Sequence, residues 1–203
     1  FKNRNLEANA DKSTLEEEKL IFNGNVIINN GDINARSEVA YYDPSKEILR
    51  LNKNIIIRTP QVGIGGDNAE INLTSQEADI SKANYVFHSY HAHGEAKKIK
   101  INQKNKITII SNGNYSYCPP DDRFWEMHAS EIKLDNNISQ GIAKKVILKI
   151  KSIPVLFIPY VQFPIGNERQ SGFLSPILSK NSKGIDLSLP YYFNVASNFD
   201  VVF

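Results

Sequence analysis

From Lys19 to Ile110 the chain repeats one theme: short runs in which every second position is apolar, broken by Asn, Gly, Asp or Lys. In "LIFNGNVIINNGDINARSEVAYYD" the apolar positions are Phe22, Val26, Ile28, Ile33, Ala35, Val39 and Tyr41. "EILRLNKNIIIRT" continues with Leu49, Leu51, Ile55 and Ile57. Ile71, Leu73 and Ile80 follow, then Ile99, Ile101, Ile107 and Ile109. A period of two marks a strand with one buried face. Turn signals recur at Asn29-Asn30-Gly31, Asp43-Pro44, Gly65-Gly66-Asp67 and Asn112-Gly113. Their spacing predicts an all-β chain of short strands, as a sandwich or an open roll. Helical periodicity is nearly absent. "STLEEEKL", with a cap candidate at Ser13, is the best helix pattern, and its shortness predicts a loop or a strand start.

The segments "FNGNVIINNGDINARSEVAYYD" and "HGEAKKIKINQKNKITIISNGNYSY" share a Gly, an apolar pair, a polar turn, a second apolar pair and an aromatic end. This self-similarity predicts stacked β-rungs, each burying its apolar edge on the next. The style changes around Cys118, in a stretch that holds the only Trp and the only Met. Alternation resumes with Ile132, Leu134, Val146, Leu148 and Ile150. The most hydrophobic run follows, "IPVLFIPYVQFPI", carrying Pro154, Pro159 and Pro164. Proline cannot donate to a ladder and belongs at sheet edges and strand ends. The last thirty residues alternate moderately and gather Tyr191, Tyr192 and Phe193, a pattern similar to outer-membrane barrel strands.

Composition narrows the classes. The 203 residues are 41% hydrophobic and 23% charged, enough to bury a core. A net charge of +2 does not argue for nucleic acid, and no aromatic residues interleave with the lysines to stack bases. No stretch approaches the roughly 20 apolar residues of a spanning helix. The chain begins at Phe1 and is expected to be part of a longer protein, so the lack of a signal peptide carries no weight. The lone Cys118 makes neither an internal disulfide nor a zinc cage.

Three clusters invite catalytic or ligand readings. His88, His91 and His93 are three imidazoles within six residues. On a strand His91 and His93 share a face while His88 opposes them, and a polar strand end running into Gly94 is preferred to a metal site. Gly63, Gly65 and Gly66 have neither nucleotide-loop spacing nor a following helix, and a strand corner with positive φ is the better account. Asp121, Asp122 and Glu126 lie in or beside a Pro-Pro turn, which reads as a solvated loop rather than an acid pair. No GxSxG or HExxH occurs, so no enzyme, metal or cofactor is expected. Two lysine groups stand out: Lys97, Lys98, Lys100, Lys104 and Lys106, and then Lys144, Lys145, Lys149 and Lys151. Such lysines are usually a solvated face or edge protection, and they also suit an anionic head group.

"NYSYCPPDDRFWEMHASEIKLD", "IPVLFIPYVQFPIGNERQSGFLSP" and "LPYYFNVASNFD" resemble the OstA (LptD) family of lipopolysaccharide-assembly proteins of the Gram-negative outer membrane. "FNGNVIINNGDINARSEVAYYD" is similar to the repeat this family shares with LptA-type periplasmic bridge proteins. The resemblance covers nearly the whole chain. It implies an LptA-like β-jelly roll over residues 1–152, V-shaped around an open apolar groove. A proline-rich connector and the first strands of an outer-membrane barrel would follow over 153–203.

The implied function is lipopolysaccharide transport from the periplasm to a lateral gate in the barrel. Alternation selects Phe22, Val26, Ile28, Ile33, Val39, Tyr41, Leu49, Leu51, Ile55, Ile57, Ile71, Leu73, Ile107 and Ile109 as the inward face. The resemblance makes that face a lipid groove, where each buried CH2 contributes about 0.8 kcal/mol. Lys97, Lys98 and Lys100 at its rim would meet head-group phosphates. Pro154, Pro159 and Pro164 would stop the connector from pairing fully, and Pro164 and Pro176 would flank or enter a weakly paired first barrel strand at the gate; a rigid bent linker is the competing account of Pro154 and Pro159. Read from the residues alone, Cys118 is a buried free thiol. The resemblance instead implies a disulfide to a cysteine outside the chain.

Expected partners are lipopolysaccharide, an LptA-like bridge protein adding a strand at the edge around Phe22–Ile28, an LptE-like lipoprotein and the outer membrane. Two other classes compete. A bridge subunit without a barrel would not need the aromatic, proline-broken segment after Ile153. A jelly-roll carbohydrate enzyme would need an acid pair in a wet cleft.

Overall fold

The structure, a computed structural model, describes residues 7–203 except 32, 61, 89–91, 120–122, 166–170, 175–176, 182–183, 189 and 197. The described residues hold strands and turns and no helix. Twelve strands form one antiparallel sheet: β1 (Glu7–Asn9), β2 (Lys12–Glu16), β3 (Lys19–Asn30), β4 (Ile33–Asp43), β5 (Ile48–Arg58), β6 (Val62–Asn72), β7 (Glu77–Phe87), β8 (Ala92–Asn102), β9 (Ile107–Tyr115), β10 (Trp125–Asp135), β11 (Gln140–Ile150) and β12 (Ile153–Pro164). From β3 to β12 each strand pairs with the next, a meander with no crossover, while β1 and β2 both pair with β3. The helix-like "STLEEEKL" is a tight hairpin between β2 and β3, with Glu17 and Glu18 at φ 46° and 61°.

At one end of the sheet the turns repeat the same chemistry. Asp43, Asn72, Asn102 and Asp135 each close a strand, and each Oδ1 accepts a backbone N–H two or three residues on, from Ser45, Ser75, Asn105 and Asn137. Short Asx side chains make this local bond readily. Each turn leaves through a residue with positive φ: Glu47, Gln76, Lys106 and Ser139. The turns also bond to one another. Leu73 N donates to Glu47 O, Gln103 N to Gln76 O, Asn136 N to Lys106 O and Ile165 N to Ser139 O. The repeating unit is therefore a hairpin of about thirty residues, stacked on the next.

Every neighbouring pair from β3–β4 to β11–β12 also interrupts its ladder once near mid-strand. Each interruption includes a polar residue, and Asn25, Lys53, Asn54, Lys82, Asn112 and Lys145 take positive φ there. Extra residues of this kind bend a strand and raise its twist. The row of interruptions folds the sheet, so that inward side chains from one half of β3–β6 (Ile28, Ile33, Ile57, Val62) meet those from the other half of β5–β8 (Leu49, Leu73, Ala78, Ile101).

The same row moves the inward face. On β4 the buried positions run Ala35, Ser37 and then Ala40, a step of three. Val39 and Tyr41, expected inside, therefore point outward, and Ala40 with Tyr42 replaces them. On β9 the apolar triplet Ile107, Ile109 and Ile110 offers two faces, and Ile110 is the buried one. Ile107 and Ile109 lie on the outer face, Ile109 opposite Lys100 and Lys133. β3 and β5 each carry two consecutive positive-φ residues at the row, so their parity survives and Phe22, Val26, Ile28, Leu49, Leu51, Ile55 and Ile57 do face inward. Gly63, Gly65 and Gly66 do not take positive φ. A Cβ on Gly65 would sit 2.5 Å from Asn84 Oδ1, so the Asn84 side chain lies over Gly65 and would have to turn aside to admit one.

The proline-rich run is the last strand of this sheet rather than a connector beyond it. β12 pairs with β11 from Ile153 to Pro164, shifting register once between Leu148 and Lys149. Pro154 lies at that shift, Pro159 stands opposite Lys145 in the mid-strand row, and Pro164 ends the strand. Beyond it lie two small antiparallel units. One contains β13 (Gly172–Phe173), β16 (Tyr191–Ala196) and β17 (Phe199–Val202); the other pairs β14 (Ile177–Asn181) with β15 (Gly184–Ser188).

Candidate functional site

The interior is the first feature with functional shape. Its main cluster of seventeen buried residues runs without a break from Val26 on β3 to Ile110 on β9, mostly Ile, Leu, Val and Ala. Leu51 and Ile80 are wholly buried. A second cluster continues it around Ala129, Ala143 and Val146, with Ile158, Val161 and Phe163 of β12 packed on it. Gly141 lets this happen, because a Cβ there would meet the Phe163 ring at 2.3 Å. The interior is narrower than an open trough. The cavity between the two halves is about 80 Å³, well under the 300–1,000 Å³ usual for ligand sites.

One polar group is built into this interior. Tyr85 is buried, and its hydroxyl donates to Asn114 O at 2.6 Å. Gly94 lies beneath it, where a Cβ would come within 2.7 Å of the same hydroxyl. Burial pushes the Tyr85 phenol well above its ordinary value of 10 because the charged form loses its solvation.

The two edges of the sheet are chemically unlike. The expected docking edge, Phe22–Ile28, is not free: β3 is paired with β1 and β2 on one side and β4 on the other. Among the described residues the outermost strands at this end are β1 and β2, parted at Asp11, whose N–H donates to Gly24 O. At the other end lies β12 with its three prolines. Its outward face carries exposed Val155, Phe157 and Tyr160.

The other sequence candidates scatter. Lys98 and Lys100 lie on the outer face of β8, separated by the sheet from the interior rather than at its rim. Lys98 Nζ is 2.9 Å from Asp79 Oδ2. Lys97 stands in the mid-strand row, where it lines a polar hollow with Lys82, Asn112 and His128. Cys118 is half-buried with its thiol free; its N–H donates to Ser116 Oγ, which in turn donates to Trp125 O. Tyr115, Tyr117 and Trp125 pack together beside it, with ring centroids 5.2 to 6.5 Å apart. His91, Asp121, Asp122 and Pro176 lie outside the described residues. Among the described residues no His, Cys, Asp and Glu group is arranged to hold a metal. The sequence reading missed Ala40, Ile64, Tyr85 and Ile110 as inward positions. The polar positions at Asn25, Asn54, Lys82 and Asn112 recur at intervals of about thirty residues and mark the row, but not how many residues each strand inserts there.

Comparison with known proteins places this architecture. Residues 5–140 match the family described as LptA/(LptD N-terminal domain) LPS transport protein. The LPS-assembly protein LptD of Saccharophagus degradans is 34% identical over 98% of this chain and 23% of its own length. That of Hahella chejuensis is 33% identical over 99% of the chain and 26% of its length. That of Pseudomonas entomophila is 35% identical over 96% and 21%. The chain thus spans about a quarter of the length of these relatives. Among solved structures, LptH of Pseudomonas aeruginosa, described as the LptA-homologous periplasmic component of the lipopolysaccharide transport device, aligns over 53% of this chain and 82% of its own with a TM-score of 0.47 and 12% identity. A meander of stacked hairpins folded over an apolar interior, a match over 136 residues to one family and relatives of one name along the whole chain lead to one conclusion: this chain belongs to the LptA/LptD N-terminal-domain family of lipopolysaccharide transport proteins.

Proposed function

We propose that this chain is a lipopolysaccharide conduit, shielding acyl chains between the two halves of its folded sheet on the way to the outer membrane. The observation that carries the reading is the unbroken apolar face that every rung from β3 to β9 contributes. Many similar rungs suit a cargo that must move, because no single rung binds it deeply. Acyl chains enter by parting the two halves, since the 80 Å³ cavity is too small to accept them as it stands. The β1–β2 edge receives a strand from an LptA-like bridge protein. The match to LptD proteins beyond residue 153 favours a chain that continues into a barrel, with an LptE-like lipoprotein as its further partner, over a bridge subunit alone. In this reading the N-terminal domain is periplasmic, Pro176 belongs to the gate, and Cys118 pairs with a cysteine elsewhere in the longer protein.

The disulfide is tested by mass spectrometry of the full-length protein, alkylated without reduction. A Cys118 peptide joined to a second peptide is expected; an alkylated Cys118 would contradict the pairing. The conduit is tested by photo-crosslinking at Val26, which faces inward, and at Ile27, which faces outward.

A further inference from the structure

The row that folds the sheet also opens a hollow on its outer face, and nothing in the lipid reading uses it. The hollow measures about 470 Å³, within the range of ligand sites, and spans β7 to β10. Its polar lining is Lys82, Asn84, Glu95, Lys97, Asn114 and His128, closed at one side by Asn112. Register explains why these side chains converge. Ser81 pairs with Lys98 and Ala83 with Ala96, so Lys82 and Lys97 stand opposite each other between those pairs. Asn112 stands opposite Lys97 on the next strand in the same way.

Lys82 Nζ reaches Asp67 Oδ2 at 3.0 Å, but both side chains are largely exposed and the pair is worth little. Lys97 has no ion-pair partner among the described residues. The single acid of the lining, Glu95, has Oε1 3.3 Å from Arg123 Nη2, an exposed pair that offsets its charge only in part, and His128 Nε2 lies 2.8 Å from Glu126 Oε1. Asn114 Oδ1 accepts from the Glu95 N–H, which leaves its amide hydrogens as donors. The unspent capacity of the hollow is therefore donors and positive charge.

We propose that this hollow binds a phosphate-class oxyanion, held between Lys82 and Lys97 with amide donors from Asn112 and Asn114. An anion there takes charge-assisted bonds from both lysines. The phosphate has two possible sources, a free ion or the phosphorylated sugar of a lipid head group, and only the second rests on the conduit reading. Because the sheet separates the hollow from the interior, a lipid with its chains inside cannot also place its phosphate here. A head group in the hollow belongs to a second molecule.

The test is calorimetric titration of the full-length protein with inorganic phosphate and, separately, with glucosamine 1-phosphate, with glucosamine as the phosphate-free control. Binding of either phosphate, weakened at least tenfold by Lys97→Gln and by Lys82→Gln but unchanged by Lys100→Gln on the same strand, supports the site. Tighter binding of glucosamine 1-phosphate than of inorganic phosphate identifies a saccharide source; equal binding identifies the free ion. No heat with either ligand, or binding that Lys97→Gln leaves intact, overturns the proposal. Melting temperatures of the three variants, expected to match the parent, separate lost binding from lost folding. Crosslinking at Val26 tests the conduit without touching these residues, so the two readings fail independently.

Discussion

Leu51 and Tyr41 lie on adjacent strands one residue out of register, Leu51 opposite Ala40 and Tyr41 opposite Arg50. Both look equally inward in the sequence, yet Leu51 is wholly buried and Tyr41 is 38% exposed. Leu51→Ala should cost about 2–5 kcal/mol, the range for a large-to-small change in a packed core. Tyr41→Ala should cost under about 1 kcal/mol. Urea unfolding of the two variants measures the difference, and equal losses would mean that the mid-strand shift on β4 is wrong. Tyr85 gives a second residue-scale prediction. Burial raises its pKa, so its contribution to stability is intact below pH 10 and is lost as pH rises above that value. The parent should lose stability between pH 10 and 12 more steeply than Tyr85→Phe does. Phe also leaves Asn114 O without its donor, which should cost about 1–3 kcal/mol at neutral pH. Parallel pH curves for parent and variant would remove Tyr85 from the account.

At the scale of the element, alternation made the strands legible, but of the four turn signals only Asn29-Asn30-Gly31 and Asp43-Pro44 fall at turns, while Gly65-Gly66-Asp67 and Asn112-Gly113 lie inside β6 and β9 near the mid-strand row. The inward face was legible along the whole strand where two extra residues preserve parity, as on β3 and β5, and on one side of the row elsewhere, as at Ile33, Ile71, Leu73 and Ile80. A single extra residue reverses it, and no residue type announces one: Glu38, Lys82, Lys97, Asn112 and Lys145 share only polarity. The lysine row read as a head-group rim is in part this fold line. The three prolines, by contrast, were legible as an edge signal, and β12 is the edge strand. An edge without those N–H groups is a poor template for another strand. Replacing Pro154, Pro159 and Pro164 together with Thr restores three donors to a strand whose outward face is already apolar. The triple variant should self-associate in sedimentation velocity at concentrations where the parent does not. An unchanged sedimentation coefficient would show that something other than proline guards this edge.

For the whole molecule, a single meander folded along one line gives a long apolar interior between the β1–β2 edge and a guarded edge at β12. That polarity suits a module that accepts a strand at one end and continues into its own chain at the other. The interior as it stands holds only about 80 Å³, so the proposed conduit would need the halves to part about the fold line. The central claim is that lipid travels between those halves, and crosslinking tests it most directly. A photo-reactive residue would be placed at Val26, 1% exposed and inward, and at Ile27, its outward neighbour, in cells carrying the full-length protein. Lipopolysaccharide adducts at Val26 and none at Ile27 are the expected result. Adducts at Ile27 alone would put the lipid on the outer face, and silence at Val26 and at the inward positions of neighbouring rungs would contradict the conduit itself.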